Sequence, residues 1–306
     1  MTKTMAAATP DIALAAGGGR CGICAGPLRT GLAPWHRECA ACGYESASLR
    51  PAINTHDTET AIDEASREIG LKALRQHNFR LLLDRICERL AEGGRTPREA
   101  RLLDVGAAHG WFVRTARERL QAIGLEPDDH VRAMARAAGV ELVGGYFPQA
   151  LDTGERFDVI TFNDVFEHLP DPHAALDACR AHLDPGGLLV LNLPCSDGAI
   201  YRAAKLLHRL GLRGPFERMW QKGLVSPHLH YFNKDNLARL LAVHGFGEPR
   251  FSTLPAVRLR GLYHRMRHSA SIGVPRALAA CIVVGAAVPF LRFFPSDILV
   301  VTARRS

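Results

Sequence analysis

Four cysteines have the spacing of a metal site. Cys21-x2-Cys24 and Cys39-x2-Cys42 make the pattern C-x2-C-x14-C-x2-C. Each C-x2-C turn brings two thiolates to one side of a tight loop, and two such knuckles close a tetrahedron around Zn2+. Ala25-Gly26 and Gly43 follow the two pairs and relieve the turns sterically. A module of about thirty residues buries little core, so the metal would supply its folding energy. Four cysteines leave no open coordination position, which makes the zinc structural. The competing reading is a redox dithiol, but one C-x2-C would suffice for that and no thioredoxin-like strand precedes either pair.

A second constellation is built for a phosphate-like or nucleoside ligand. Leu102-Leu103-Asp104-Val105-Gly106-Ala107-Ala108-His109-Gly110-Trp111-Phe112 reads as a buried strand, a tight small-residue turn and a helix start. Such a turn aims free backbone N–H groups and the positive end of a helix dipole at a ligand. Small residues are needed where the backbone comes close to it. A further strand, Ala122-Ile123-Gly124-Leu125, ends in Glu126. An acidic residue ~20 positions after a glycine-rich turn is placed to grip two ribose hydroxyls. Ala108 stands where G-x-G-x-G would have its second glycine, and the turn alone also fits a dehydrogenase-type dinucleotide site.

The later segments carry more information. Phe157-Asp158-Val159-Ile160-Thr161-Phe162 is a third strand, running into Asn163-Asp164-Val165-Phe166-Glu167-His168-Leu169-Pro170-Asp171-Pro172. An amphipathic helix follows, about His173 to Leu183, then a turn at Asp184-Pro185-Gly186-Gly187 and a strand over Leu188–Leu193. This series resembles the class I S-adenosylmethionine-dependent methyltransferases, over about Thr96 to Arg305. The resemblance implies an α/β, Rossmann-like seven-stranded sheet with helices on both faces, here with a small N-terminal zinc ribbon and helical insertions. It implies S-adenosylmethionine as cofactor, with Asp104, Gly106, Ala108, Gly110, Trp111, Glu126, Asn163 and Asp164 on the cofactor side. Trp111, Tyr146 and Phe147 are candidates to flank its adenine or methionine parts. The usual acidic residue after strand three is missing, because Gly145-Tyr146-Phe147-Pro148 stands there.

Methyl transfer from a sulfonium needs the nucleophile in line and often the removal of one proton. Glu167, His168, His228 and His230 are the candidates for that work. Asp164-x-x-Glu167-His168 resembles the E-x-x-E-H ligands of ubiquinone-pathway and small-RNA O-methyltransferases, where a divalent cation such as Mg2+ would lower a hydroxyl's pKa. The plainer alternative, which we favour, is that Glu167 and His168 order the loop. Ser226-Pro227-His228-Leu229-His230-Tyr231-Phe232 lies near the acceptor site in the resembling family. His230 there is read either as a general base or as packing with a helix-capping role. Asn163-Asp164-Val165-Phe166 is not the N-P-P-Y motif of the enzymes that methylate exocyclic amines of bases. Pro194-Cys195 resembles the nucleophilic pair of cytosine C5 methyltransferases, but it follows strand five, not strand four. A hydroxyl-bearing small molecule, saccharide or lipid-linked acceptor is therefore expected rather than a nucleic acid. The alternatives are a zinc-ribbon rRNA or tRNA methyltransferase and a non-catalytic cofactor-binding protein.

The elements that must position these groups follow from periodicity and punctuation. We expect a disordered tail over 1–18, a zinc ribbon over 19–50, a helical linker and cofactor cover over 51–95, and a methyltransferase domain over 96–306 with insertions at 194–231 and 255–295. The cover is helical from about Thr58 to Glu92 and ends at Gly93-Gly94. In the first insertion an amphipathic helix with Lys205 and Arg209 beside Leu206 and Leu210 should stop at Gly214-Pro215. A further helix over Asn233–Gly245 and strands at Arg250–Leu254 and Asp297–Val301 complete the sheet. The second insertion joins the basic run Arg258–His268 to an apolar stretch, Ala277–Leu291, that is shorter than the ~20 residues a spanning helix needs. It is expected to cover the core as a lid or to lie in a membrane interface. The chain has 306 residues, 47% hydrophobic and 23% charged, with net charge +7, which suits an anionic partner without choosing one. No continuous signal-peptide core interrupts this reading, so a cytoplasmic location, in part peripheral at the inner face of the membrane, is expected.

Metal analysis of protein purified without added metal should find one Zn2+ per chain, on Cys21, Cys24, Cys39 and Cys42. A stoichiometry near zero with full folding retained in chelator rules the site out.

Overall fold

A computed structural model describes residues 19–51, 64–257 and 293–306, with positions 263, 273–275, 278–279, 281–282 and 285–286; side chains in the first cover helix are described from residue 72. The expected tail and most of the second insertion, including Arg258, Arg260, Arg265, Arg267 and both ends of the apolar stretch, lie outside the described residues.

The N-terminal module is a small antiparallel sheet of β1 (Leu28–Thr30), β2 (His36–Cys39) and β3 (Glu45–Ala47). Helix α1 (Glu64–Glu92) follows, ending at Gly93-Gly94 as expected. Then come β4 (Arg101–Val105), α2 (Trp111–Ala116), β5 (Gln121–Glu126), α3 (Asp129–Ala137), β6 (Val143–Gly144), β7 (Phe157–Asn163), α4 (Pro172–His182) and β8 (Leu183–Pro194). The first insertion carries α5 (Ala199–Arg209) and α6 (Gly214–Met219), and leads into β9 (His230–Tyr231), α7 (Lys234–Val243), β10 (Phe246–Leu254) and β11 (Ile298–Arg305).

The main sheet has seven strands in the order β10-β11-β8-β7-β4-β5-β6. All run parallel except β11, which is antiparallel to both neighbours. Strands β4, β7 and β8 are buried on both faces, which is why they read as near-continuous apolar runs. One face packs on α1 and α2 through Leu82, Ile86, Phe112 and Val190, the other on α4 and α7 through Leu176, Leu237, Phe162 and Leu191. Helix starts are fixed locally. Asp128 caps α3, Asp171 caps α4 ahead of Pro172, and Asn233 with Asn236 closes a capping box on α7.

Two expectations need correction. Asp184–Gly187 is not a turn before β8 but a bulge inside it. Phe157 pairs with Leu183 and Val159 with Leu188, and Gly186 at φ +70° absorbs the extra residues. Gly214-Pro215 does not stop α5; it opens α6, since proline suits the first helical positions. Helix α5 ends at Arg209, followed by Gly211 at φ +91°.

Gly124 shows how tightly β5 sits under the glycine-rich turn. A Cβ there would lie 2.7 Å from Ala107, Leu142 and Val113 side chains. Gly124→Ala should therefore cost about 1–3 kcal/mol by overpacking. A thermal melt reads it, and an unchanged midpoint would refute this packing.

Candidate active site

The turn after β4 is held by the strand beside it. Gly106, Ala108 and Gly110 have φ of +68°, +47° and +68°. At Gly106 a Cβ would meet Val165 at 2.7 Å, and at Gly110 it would meet Val140 at 2.5 Å, so both positions exclude larger residues. Ala108 carries the left-handed conformation at some cost. Its N–H donates to Glu126 Oε2 at 2.8 Å, and the N–H of Asp128 donates to Glu126 Oε1 at 2.9 Å. Burial raises the Glu126 carboxyl, and these two N–H groups pull it back.

Above the turn is a cleft of about 100 Å3. Asp104, Gly106, Ala108, Trp111, Asn163 and Asp164 line it, together with Arg75 and Phe79 from α1. Gly110 and Glu126 do not line it; Glu126 reaches it only through the Ala108 N–H that it holds. Asp104 is buried and accepts from Thr161 Oγ1 at 2.7 Å and Asn163 Nδ2 at 2.8 Å; desolvation lifts its carboxyl to about 7. Asn163 Oδ1 is buried without a hydrogen-bond partner beside the cleft. Lys72 stands 5.5 Å from the Trp111 ring centroid, closing one side. Arg75 and Phe79 escaped the sequence reading because a helical stripe does not say which of its members cross to a turn thirty residues on. The one available signal was a cation, Arg75, one turn before an apolar run.

Across the same loop sits a second cluster. Glu167 is 1% exposed, and its Oε1 lies 3.8 Å from His168 Nε2 and 3.9 Å from His228 Nε2. Its Oε2 has no partner. Desolvation, then the Asp164 charge, raises the Glu167 carboxyl well above the ordinary range. His168 donates from Nδ1 to the Pro227 carbonyl at 2.8 Å, and burial lowers it to about 4, so it is neutral with its Nε2 lone pair toward Glu167. Asp164 lines the cleft and does not join this cluster.

The family described as methyltransferase domain matches residues 74–247, more than half of the chain. The chain belongs to that family. The fold is that of an S-adenosylmethionine-dependent methyltransferase. Such an enzyme from Thermotoga maritima superposes with a TM-score of 0.51 at 17% identity, covering 80% of this chain and 96% of that one. The ubiquinone biosynthesis O-methyltransferase of Cereibacter sphaeroides is 34% identical over 99 residues, 30% of this chain and 40% of the relative. That of Rhodopseudomonas palustris is 27% identical over 138 residues, 42% and 54% respectively. The matched stretch thus spans about half or less of these curated relatives.

Around the methyltransferase domain several candidate residues take other places. His230 is no base. Its Nε2 donates to the Leu169 carbonyl at 2.8 Å, and its Nδ1 accepts from the Tyr44 hydroxyl of the N-terminal module. Both ring nitrogens are spent on packing. Phe147 fills the core against Phe162, and Tyr146 is exposed outside the cleft, so of the three aromatic candidates Trp111 alone lines it. Cys195 is buried and its thiol pKa is raised, which removes it as a nucleophile. Glu167, His168 and His228 offer one carboxylate and two imidazoles within 4.8 Å. Mg2+ demands oxygen donors, so this set does not fit it.

The four N-terminal cysteines do come together. Cys21 and Cys42 Sγ are 3.7 Å apart, Cys24 and Cys39 Sγ 3.5 Å. Zn–S bonds of about 2.3 Å in a tetrahedron put sulfurs about 3.8 Å apart, so the set fits zinc. The module is sewn onto the methyltransferase domain. β3 pairs with β9, and the Cys42 carbonyl accepts from Asn233 and Asn236 Nδ2, each at 3.2 Å.

The buried histidines fix a pH dependence. Burial lowers His230 to about 4 in the folded state, below its unfolded value. The unfolded chain then takes up the proton first, so stability is full above pH ~6.5 and falls as pH drops toward 4. Between pH 6.5 and 5, His230 should account for about 2 kcal/mol of that loss. Urea unfolding at a series of pH values checks it: His230→Phe should flatten the slope, and an identical slope would contradict the burial.

Proposed function

We propose that the chain moves the methyl group of S-adenosylmethionine to a hydroxyl of a small molecule, saccharide or lipid-linked acceptor. The observation that carries this is that one short loop runs from the cleft wall at Asn163–Val165 to the buried Glu167–His168–His228 cluster, with Asp164 close enough to act on the Glu167 charge. The likeness to O-methyltransferases over about 100 residues supports hydroxyl chemistry. The cofactor would supply a methyl group on a positive sulfur with a good leaving group. Glu126 would turn its remaining lone pairs to the ribose, and Asn163 Oδ1 would accept from the cofactor's ammonium. Arg75, the arginine lining the cleft, would pair with its carboxylate. Glu167 Oε2, buried and unpartnered, would accept the hydroxyl proton, because burial makes the carboxylate a stronger base. His168 and His228 would pack around that carboxyl and keep water from it.

The same reading divides the chain into a structural zinc module over 19–50, a cofactor cover over 51–95 and a methyltransferase domain over 96–306 carrying its two insertions. We further propose a cytoplasmic location, in part peripheral at the inner face of the membrane. Among the described residues no helix is long and apolar enough to cross a membrane.

Calorimetry with S-adenosylhomocysteine tests the cofactor half. Glu126→Ala should weaken binding by about 1.5–3 kcal/mol. Glu167→Gln should leave that affinity unchanged while cutting turnover ~10²–10⁴-fold, measured with labelled cofactor on fractionated cell extract. No binding by folded wild type overturns the reading. Binding without turnover on any fraction leaves a cofactor-binding scaffold, and labelled RNA moves the acceptor to nucleic acid.

A further inference from the structure

The first insertion shows the solvent an odd face. The inward side of α5 packs on the N-terminal module: Tyr201 and Ala204 are buried, Tyr201 donates to Glu45 Oε2 at 2.7 Å, and Lys205 Nζ donates to Glu38 and Glu45. The outward side carries Arg202, Leu206, Arg209 and Leu210 in helical succession, then Leu212 and Arg213 just beyond. Leu206, Leu210 and Leu212 are 56%, 70% and 58% exposed, so they serve no core here. A helix face turned to water normally mixes both charge signs. This one has no acid, because no Asp or Glu lies between Asp197 and Glu217.

A second acid-free stretch ends beside the start of α5. No Asp or Glu lies between Glu248 and Asp297. Its C-terminal end is tied to the start of α5. The N–H of Ala199 donates to the Pro295 carbonyl at 3.0 Å, and the N–H groups of Ile200 and Tyr201 donate to the Asp297 carboxylate at 3.1 and 2.8 Å. Just before that tie stand Phe293 and Phe294, 71% and 59% exposed. The two acid-free stretches thus adjoin at the start of α5, one carrying exposed leucines and arginines along the helix and the other ending in exposed phenylalanines beside its first turn.

We propose that this edge docks on an anionic lipid bilayer, with Leu206, Leu210, Phe293 and Phe294 among the acyl chains and Arg202, Arg209 and Arg213 on the head groups. Charge decides the occupant. An apolar face rimmed by cations alone complements a surface that is apolar beneath and negative above, and a helix of 11 residues lies in such an interface without spanning it. A second copy of this chain would bring the same positive rim against itself. The proposal goes beyond the methyl-transfer reading and does not depend on it.

Co-sedimentation of the full chain with vesicles tests it. The protein should pellet with phosphatidylglycerol–phosphatidylcholine vesicles at low salt, and stay in the supernatant with phosphatidylcholine alone. Each of Arg202→Gln, Arg209→Gln and Arg213→Gln should lower the partition coefficient roughly fivefold. Leu206→Asp with Leu210→Asp should abolish pelleting while the thermal midpoint and metal content stay unchanged. A wild type that stays soluble with anionic vesicles at low salt overturns the proposal. So does retained pelleting of the double leucine variant, or a solution dimer that this variant dissolves.

Discussion

The two-residue pairing of β3 with β9 is the joint on which the candidate site rests. Strand β9 continues the segment that carries His228, and that segment has little structure of its own. Its backbone is satisfied from outside: Ala47 donates to the Leu229 carbonyl, Leu229 donates to the Glu167 carbonyl, and His168 donates to Pro227. Tyr44 and Leu169 take up both nitrogens of His230. Each link is a buried polar contact whose loss costs on the order of 1–3 kcal/mol, because the stranded partner has no water to turn to. The cysteine knuckles therefore do not decorate the catalytic sheet. They hold the wall against which Glu167 is set.

The chain's net charge of +7 is unevenly spent. Many arginines at the edge opposite the cleft bind backbone carbonyls. Arg156 donates to Ala181 and Leu183, Arg305 to Leu183, Arg304 to Gly186 and Arg89, and Arg95 to Pro185. These carbonyls lie in the last turns of α1 and α4 and in the bulged start of β8, where the regular ladders give out. Positive charge there closes the fold. Among the described residues the arginines on the outer face of α5 bind no carbonyl or carboxylate, which is why position in the fold says more than the total.

Much of the sheet was legible because its signals are local. Strands β4, β5, β7 and β8 are short apolar runs bounded by glycine, proline or acid, and the bound at Glu126 coincides with the residue that braces the turn. The cysteine cluster was legible from spacing alone. What was hidden depended on partners far along the chain. His228 and His230 are two residues apart on one extended segment yet meet different partners, Gln221 and Glu167 for the first and Tyr44 and Leu169 for the second, so composition cannot assign their roles. Tyr44, which decides the matter, is 186 residues from His230. Arg75 and Phe79 were hidden for the same reason, because a helix's register over a distant turn is a tertiary fact. The bulge at Asp184–Gly187 was misread because Pro-Gly-Gly is a turn signal in isolation, while the pairing of β7 on both sides of it keeps the strand going.

The same long separation sets an order of assembly. As the chain leaves the ribosome, the knuckles and β1–β2 can close as soon as Cys42 is out. The edge of β3 then waits, unpaired, until Tyr231 has been made. An open strand edge is a template for wrong partners, including the same edge on a neighbouring nascent chain. β3 is three residues long and opens on Glu45, which faces Tyr231 in the finished pairing, and a short edge with an acid on it is a poor template. The residue that later anchors Tyr201 and Lys205 thus has an earlier task, keeping the module solitary during synthesis.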